Sequence, residues 1–468
     1  MRARRALAVA LVAFVALGGG AVGARAWVLD RAEAKLRGHG LAWARRVDSW
    51  KGARWEGLRG TGLSIGAASV QWAPRPAVEI ADVDVDMEAR AGAAGGGVGE
   101  GSGLPLWVAV ALTNGTLRWG EEPIAGPLSG TLAPEVDLAG PDAALTREDG
   151  VWVARLHRVI DRPELRGAAE LVLRLGSPRS ATLDMPDAVL ASPMLSEHPL
   201  PAQPLHVEGT WAEGGAVEGT ARFGGVSAHA TGTLGMHPLA VALHVTLGPA
   251  PLETVVDLFG PLVPEAKRAT LSGELGLLAT ISGPPLAWHV EPKATGLAAT
   301  GVIPNPTELA SGPFSYRVTL PSGETRVRES GEGTPDWVEP EATAREGLAV
   351  IASEDADFWN HPGYDLPAIQ EALDAWAGGE ARPRGGSTLS QQLAKNLFLD
   401  GDRTLVRKLR ELLYALDLEQ TLGKRRILEL YLNVVQFGPE VWGVGPASDT
   451  YFLKKPEGLT WREAAFLA

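Results

Sequence analysis

Residues 354–365 read EDADFWNHPGYD, residues 385–396 read GGSTLSQQLAKN, and residues 404–433 read TLVRKLRELLYALDLEQTLGKRRILELYLN. These blocks concentrate acids, amides, hydroxyls and bases, and the segments between them carry apolar residues at helical spacing. A further block, 438–452, follows them. We expect this part of the chain to carry most of the chemistry of the protein and to fold as a set of helices. The predicted helices are at about 366–377, 387–397, 404–420, 424–434 and 461–468.

Two carboxylates in these blocks, Glu354 and Glu411, lie on different predicted helices. Arg407 and Lys408 precede Glu411 by four and three positions, so the three side chains share one helical face. A carboxylate that removes a proton from an acceptor, beside fixed cations that hold a departing negative charge, suits transfer of a group away from a phosphate. The alternative is an ordinary surface glutamate and an ion-paired helix face, worth about 0.3–0.5 kcal/mol per pair.

A Gly-Gly-Ser-Thr turn at 385–388 precedes a predicted helix that contains Lys395 and Asn396. Free backbone N–H groups and hydroxyls in such a turn suit an anionic group. On its own, this sequence is equally compatible with a turn that has only a structural role. The conjunction of the blocks favours a functional site.

The blocks resemble the motifs of the peptidoglycan glycosyltransferases (family-51 glycosyltransferases), which occur as domains of penicillin-binding proteins and as monofunctional transglycosylases. The family pattern E-D-x-x-F-x-x-H-x-G-x-D is matched at 354–365, and G-G-S-T-x-x-Q-Q-x-x-K-N at 385–396. R-K-x-x-E is matched at 407–411 and R-I-L-E-x-Y-L-N at 426–433. The resemblance covers about residues 334–468 and implies a compact, all-α, lysozyme-like fold.

The resemblance also implies a role for each matching residue. Glu354 would be the general base that deprotonates the 4-hydroxyl of the acceptor lipid II, and Glu411 would assist on the pyrophosphate side. The expected reaction is inverting transfer, which lengthens a glycan strand and releases undecaprenyl pyrophosphate. The residues expected to bind substrate or to shape its sites are Asp355, Phe358, His361, Gly386, Ser387, Thr388, Gln391, Gln392, Lys395, Asn396, Arg407, Lys408, Glu429, Tyr431, Asn433 and Lys454.

Cofactor chemistry is only weakly indicated. The resemblance leaves open a divalent cation, Mg²⁺ or Mn²⁺, at the pyrophosphate. The residues themselves predict no metal site, because no histidine pair has the spacing H-x-x-x-H or H-E-x-x-H. The chain contains no cysteine, which excludes disulfides and Cys-ligated metals. It also lacks the Ser-x-x-Lys of penicillin-sensitive transpeptidases, so we predict a monofunctional enzyme.

Two features depart from the family pattern. Pro446 and Ser448 stand where the family carries small helix formers, and a proline inside a helix costs roughly 3 kcal/mol unless it falls in the first turn. The helical pattern at 461–468 stops where the family continues with further helices. We therefore expect a family domain truncated at its C-terminus.

The N-terminus predicts a membrane anchor. Arg2, Arg4 and Arg5 precede an uncharged run, 6–24, that is long enough to cross a bilayer as a helix. Positive residues before such a run orient the rest of the chain outward. The alternative is a signal peptide cleaved near residues 24–26, which read ARA. We expect a single-pass inner-membrane protein whose bulk is periplasmic.

The formal net charge of −13 over 468 residues argues against a nucleic-acid partner. The bases are instead concentrated at 403–426, as a phosphate site requires. The expected partners are lipid II, the nascent glycan strand, the membrane, and other proteins of cell-wall synthesis and cell shape.

Between the anchor and the family-like region the hydrophobic period is two, which is typical of strands. We expect a helix at 30–48, a hairpin at Asn114-Gly115, and a short helix at 252–259. This part is weakly similar to the AsmA-like proteins of bacterial envelopes, which are elongated and β-rich. The strands predicted in its second half are 151–159, 169–175, 205–211, 216–223, 229–234 and 239–247.

The predicted organisation is therefore multidomain, with a tip and anchor at 1–28, a β-rich region at 29–330, and a glycosyltransferase domain at 331–468. A loop at 377–386 is expected to be mobile without substrate. Two alternatives to a polymerase remain. One is a non-catalytic envelope protein that binds lipid or glycan. The other is a muramidase, for which the cluster of bases would be superfluous because the leaving group is neutral.

Overall fold

A computed structural model shows that the chain divides into two compact units. Unit 1 is Met1–Val159 with Ala168–Asp184, and unit 2 is Ile160–Gly167 with Met185–Ala468. The predicted boundary at residue 331 therefore lies inside unit 2. The structure describes residues 33–34, 36–37, 40–49, 52–61, 63–71, 77–86, 109–119, 122–133, 137–193, 195–212, 214–236, 239–284, 287–320, 322–377, 386–400 and 404–468.

Unit 1 is β-rich, as the alternating pattern predicts. Leu63 and Ile65 point to its core and pack with Trp55, Leu58 and Ile80. Each strand pairs antiparallel with the next, except that β4 and β5 are parallel. The strands are β1 Arg45–Asp48, β2 Gly52–Gly60, β3 Leu63–Gln71, β4 Ala77–Asp86, β5 Ala109–Trp119, β6 Glu122–Ala133, β7 Asp137–Ala139, β8 Ala143–Glu148 and β9 Val151–Asp161.

Two local predictions in unit 1 are wrong. Strand β5 runs straight through Asn114-Gly115, so these residues form no hairpin. Asn114 has a φ of 59°, and the register with β6 slips between Leu112 and Gly115, which indicates a bulge. Because asparagine accepts positive φ in a bulge as readily as in a hairpin turn, the local preference does not separate the two. The helix predicted at 30–48 is also wrong at its end, where Arg45–Asp48 pairs with β2 as a strand.

The first part of unit 2 is a meander in which each strand from β12 to β17 pairs antiparallel with the next. In β13, Thr220 and Arg222 are exposed while Val217 and Ala221 are half-buried, so the two faces alternate. Strands β10 Leu165–Arg174 and β11 Arg179–Leu190 each have residues in both units. The strands that follow them, up to residue 330, are β12 Gln203–Trp211, β13 Ala216–Phe223, β14 Val226–Met236, β15 Leu239–Pro251, β16 Thr270–Gly283, β17 Ala287–Thr300, β18 Phe314–Thr319 and β19 Thr325–Ser330.

Helices dominate the C-terminal part, as predicted. In the described part of 331–468, the strands are one short ribbon of β20 Gln436–Gly438 and β21 Val441–Trp442. The helices are α1 Leu252–Asp257, α2 Pro306–Ala310, α3 Ala344–Glu354, α4 Leu366–Ala377, α5 Leu389–Phe398, α6 Leu405–Thr421, α7 Gly423–Val434, α8 Val444–Phe452 and α9 Trp461–Leu467. The 3₁₀ turns are Gly260–Leu262, Pro264–Arg268, Pro340–Thr343 and Pro456–Gly458.

One hydrophobic core runs through unit 2 and joins the sheet to the helices. Leu297 in β17 and Ile303 just after it belong to the same buried cluster as Leu393 of α5 and Leu413 of α6. Helix α6 is 17 residues long, and it packs against both α5 and β17. Helix α6, which carries the third motif, therefore rests directly on the last strand of the meander.

Pro446, a departure from the family pattern, is accommodated by its position. It is the third residue of α8 and lies in the first turn. Backbone N–H groups there have no partner within the helix, so proline removes no helical hydrogen bond.

No helix in the described ranges is both long and apolar enough to span a membrane. The anchor predicted at 1–28 lies outside those ranges, and so does most of the loop predicted at 377–386.

Candidate active site

Glu354 is the last residue of α3 and is exposed to solvent. Its Oε2 accepts a hydrogen bond from Nε2 of Gln392 at 2.9 Å, and Oε1 of that glutamine accepts from the hydroxyl of Tyr431 at 3.1 Å. These contacts orient the carboxylate from α5 and α7 while leaving it open to a ligand. The geometry suits a general base, which must reach the proton that it removes.

Burial, together with the negative charges of Glu354 and Asp355, raises the pKa of Tyr431 well above its ordinary value of 10. Tyr431 therefore keeps its proton at neutral pH and remains a donor to Gln392. That donor holds the glutamine amide in the orientation that presents Nε2 to Glu354.

Glu411 is nearly inaccessible, with only 2% of its side chain exposed. Its carboxylate lies 2.6 Å from Nζ of Lys408 and 3.3 Å from Nε of Arg407. Lys408 is 49% exposed, and its Nζ also donates to the hydroxyl of Ser387 at 2.6 Å. The structure thus joins the second and third motifs through Lys408, and it presents an oriented cation at the surface.

The segment 387–392, which runs from the turn into α5, contacts both Glu354 and Lys408. Ser387 bonds to Lys408 beside Glu411, and Gln392 bonds to Glu354. Ser387 and Gln392 are five positions apart, a main-chain span of at most about 18 Å. Lys395 is exposed one helical turn beyond Gln392, on the same side of α5.

A buried network fixes the end of α3 against the start of α5. Asp355 accepts from the backbone N–H of Leu389 at 2.8 Å and from Nε2 of His361 at 2.9 Å. Nδ1 of His361 accepts from the N–H of Gly363 at 3.1 Å, so the ring proton lies on Nε2. Phe358 is fully buried beside them. Asp355, Phe358 and His361 are therefore buried and orient the helix ends, and their predicted contacts with substrate stay predictions.

The N-terminus of α5 is closed by a capping box between Thr388 and Gln391. The Thr388 hydroxyl also donates to the carbonyl of Gly363 at 2.8 Å. Both capping side chains are buried, so their polar groups serve the helix. A Cβ on Gly386 would lie 3.1 Å from that of Ala372, which shows how closely this turn packs on α4.

The remaining predicted residues bond to protein groups. Asn396 donates to the carbonyl of Gln392 at 2.7 Å. Glu429 pairs with Arg426 at 2.8 Å, and Lys454 pairs with Glu463 at 2.7 Å. Their predicted contacts with substrate stay predictions.

Asn433 connects α7 to the segment before α3. Its side chain accepts from the N–H of Val338 at 2.8 Å and donates to the carbonyls of Val338 and Glu429, both at 3.0 Å. We expect Asn433→Ala to lower the free energy of unfolding by about 1–3 kcal/mol, because the Val338 groups lose their partner. Urea unfolding measures this, with Asn360→Ala in an exposed loop as the control. A loss of activity with unchanged stability would instead indicate direct substrate contact.

The Lys454–Glu463 pair predicts a pH effect. The hydrogen bond from Lys454, and then the backbone N–H of Thr460, lowers the pKa of Glu463 from 4.5 to about 2. Because the folded value is depressed, the contribution to stability is present above about pH 4.5 and is lost as the pH falls towards 2. Carbon-13 NMR titration of the Glu463 carboxyl should show this value, and Lys454→Met should move it back up. An ordinary value in the unmodified chain would contradict the pairing.

Lys424 and Glu419 belong to this region but are missing from the predicted residues. Glu419 accepts from Lys424 at 2.8 Å and from the Ser390 hydroxyl. Nζ of Lys424 lies 4.5 Å from the centre of the Phe358 ring and 3.3 Å from His361 Nδ1. A cation at a helix N-terminus opposes the helix dipole, so the position of Lys424 at the start of α7 was a usable signal.

The divalent cation predicted at the pyrophosphate stays a prediction. In the described residues, no group of three or more His, Asp or Glu side chains is placed to hold a metal ion. The Glu411 carboxylate, the candidate for the predicted divalent cation, already lies between Lys408 and Arg407.

An accessible, oriented carboxylate and a separate cluster of cations are the groups that transfer from a phosphorylated leaving group would require. A transglycosylase family model matches residues 332–468. A biosynthetic peptidoglycan transglycosylase of Salmonella schwarzengrund is 48% identical over 174 residues, which cover 37% of this chain and 70% of the relative. Enzymes with the same name from Cupriavidus metallidurans and Aeromonas hydrophila are 48% and 49% identical, each over 28% of this chain and 57% of the relative.

The protein is therefore a glycosyltransferase. It belongs to the family whose motifs it carries, the family-51 peptidoglycan glycosyltransferases.

Proposed function

We propose that this protein polymerises lipid II into glycan strands by inverting transfer and releases undecaprenyl pyrophosphate. One observation carries the proposal. The segment 387–392 contacts an exposed carboxylate, Glu354, with one residue and the cation Lys408 with another. The relatives are biosynthetic peptidoglycan transglycosylases by name, which agrees with a polymerising enzyme.

Glu354 is the proposed general base. It takes the proton of the 4-hydroxyl of the acceptor as that oxygen forms a bond to the anomeric carbon of the donor sugar. The bond from the anomeric carbon to the pyrophosphate oxygen breaks at the same time, on the opposite face, which inverts the configuration. The hydrogen bond from Gln392 holds the carboxylate in place for this step.

Lys408 and Arg407 are the proposed partners of the pyrophosphate. Negative charge grows on the leaving oxygen in the transition state, and oriented cations stabilise it there more than in the bound substrate. Glu411 is too deeply buried to exchange protons with substrate freely. Its proposed role is to orient the two cations. Lys395 is exposed on α5, and its proposed role is to contribute a third cation to the pyrophosphate site.

The location of the substrate is part of the proposal. Lipid II is a membrane lipid, and we propose that residues 1–28 anchor the chain in the inner membrane with its bulk in the periplasm. The nascent glycan strand is the second partner, and other proteins of cell-wall synthesis are expected beside it.

The purified full chain, incubated with lipid II in detergent, tests the function. We expect glycan strands with inverted linkages and one undecaprenyl pyrophosphate released for each bond formed. Binding of a moenomycin-type inhibitor without any turnover would refute the polymerase and favour a non-catalytic binding protein.

A further inference from the structure

We propose that the part of unit 2 before residue 331 positions helix α6 for catalysis, with Glu265 and Arg410 as the central positioning pair. The proposal rests on the proposed function, because it concerns the cations that α6 carries. Under this proposal, the end of the β-meander helps to set the geometry of the glycosyltransferase site.

Helix α6 has two functional faces. Arg407, Lys408 and Glu411 form the face that we assign to the pyrophosphate. Positions 406, 410 and 417 recur at intervals of four and seven residues and so form a second, neighbouring stripe. The side chains of Arg410 and Asp417 in this stripe make two of the contacts described next, and the backbone N–H of Val406 makes the third.

Three contacts hold the stripe at successive levels. The backbone N–H of Val406 donates to the carbonyl of Leu195 at 3.0 Å in the first turn of α6. One turn on, Nε of Arg410 donates to Glu265 at 2.6 Å. Two turns further, Asp417 accepts from the backbone N–H of Ile303 at 2.7 Å.

All three partners, Leu195, Glu265 and Ile303, precede residue 331. The helix is therefore fixed along its length by a region that the family motifs do not include.

The short turn Pro264–Arg268 ties these contacts together. Glu265 in this turn bonds to Arg410, and Arg268 donates to the carbonyl of Val302, next to Ile303. The turn therefore bonds to α6 through Glu265 and to Val302 through Arg268. The residue after Val302, Ile303, bonds in its turn to Asp417 of α6. Asp417 is only 1% exposed, and this burial raises the pKa of its carboxyl above the ordinary value.

The Glu265–Arg410 pair is the most specific of the contacts. Glu265 is only 1% exposed, and Arg410 is 27% exposed. A carboxylate so deeply buried is costly unless it is paired, so its retention requires a partner at a defined position. Arg410 lies between Lys408 and Glu411 in the sequence. Loss of its bond to Glu265 should therefore displace the face of α6 that we assign to the pyrophosphate.

The expected effect is on turnover. A displacement of about 1 Å in catalytic groups can cost up to about 100-fold in rate. Lys408 and Arg407 act on charge that develops in the transition state, so kcat should fall more than KM rises.

The first test measures lipid II turnover by full-length Glu265→Leu. We expect kcat to fall by about 10- to 100-fold with KM changed less than about threefold, after normalising to the fraction that binds a moenomycin-type inhibitor. Glu265→Gln keeps an acceptor oxygen and should lie much closer to the unmodified protein. Glu253→Leu, at an exposed glutamate of α1, is the matched control and should leave kcat unchanged.

The second test measures placement directly. Because the chain has no cysteine, Glu253→Cys and Gln420→Cys can carry the only two spin labels. We expect a narrow distance distribution between α1 and α6 in the otherwise unmodified chain and a broadened or shifted one with Glu265→Leu.

Either a wild-type kcat or an unchanged distance distribution in Glu265→Leu would overturn the proposal. If the unmodified chain fails to polymerise lipid II, the proposed function fails. The distance measurement still decides whether Glu265 holds α6.

Discussion

Glu354→Gln should lower the rate of lipid II polymerisation by about 10²- to 10⁴-fold, the range typical for removal of a general base. The amide cannot take the proton of the acceptor hydroxyl. Its oxygen can still accept the hydrogen bond from Gln392, so the local geometry should persist. Rates of glycan-strand formation measured with the purified proteins give the effect.

The same substitution should not destabilise the fold, because Glu354 ends α3, where a negative charge opposes the helix dipole. We expect the free energy of unfolding to stay the same or to rise by up to about 1 kcal/mol. Glu371→Gln, at an exposed position of α4, is the matched control and should retain full activity. Unimpaired Glu354→Gln would refute the assignment of the base.

Glu411→Gln should abolish activity and also destabilise the protein. The carboxylate is 2% exposed and compensates both Lys408 and Arg407, of which Arg407 is only 16% exposed. Removing one partner of such a buried group typically costs about 3–5 kcal/mol. The midpoint of urea unfolding, followed beside polymerisation, measures both losses.

Lys408→Met separates the two effects. The lysine is half-exposed, so its pair with Glu411 should contribute at most about 1 kcal/mol to stability. Its loss should still lower polymerisation by about 10²-fold, because a fixed cation facing the leaving group is removed. If Glu411→Gln left stability unchanged, or Lys408→Met left activity unchanged, this assignment of the cluster would be wrong.

Much of the helical region could be predicted because the signals are local. Helices α4, α6 and α7 begin and end within one or two residues of the predicted positions, since apolar spacing marks them directly. The same reasoning failed at Asn114, where a bulge and a hairpin turn require the same backbone conformation.

Sequence alone also marked the chemical groups, but not what each one contacts. Thr388 and Asp355 stand in motifs as plainly as Glu354 does, yet they are buried and bond to backbone groups of the protein. The spacing of residues along the sequence does not distinguish a residue that contacts substrate from one that stabilises the fold.

The amino-acid sequence by itself determined the helices, the order of the motifs and the family, because spacing and residue type are read within short segments. The tertiary structure alone decided that Glu354 is exposed and that Glu411 is buried. Lys408 and Ser387 are 21 residues apart, Glu354 and Gln392 are 38 apart, and Arg410 and Glu265 are 145 apart. Such contacts form only when the helices pack on the sheet, since burial and pairing depend on the whole core and not on any one segment.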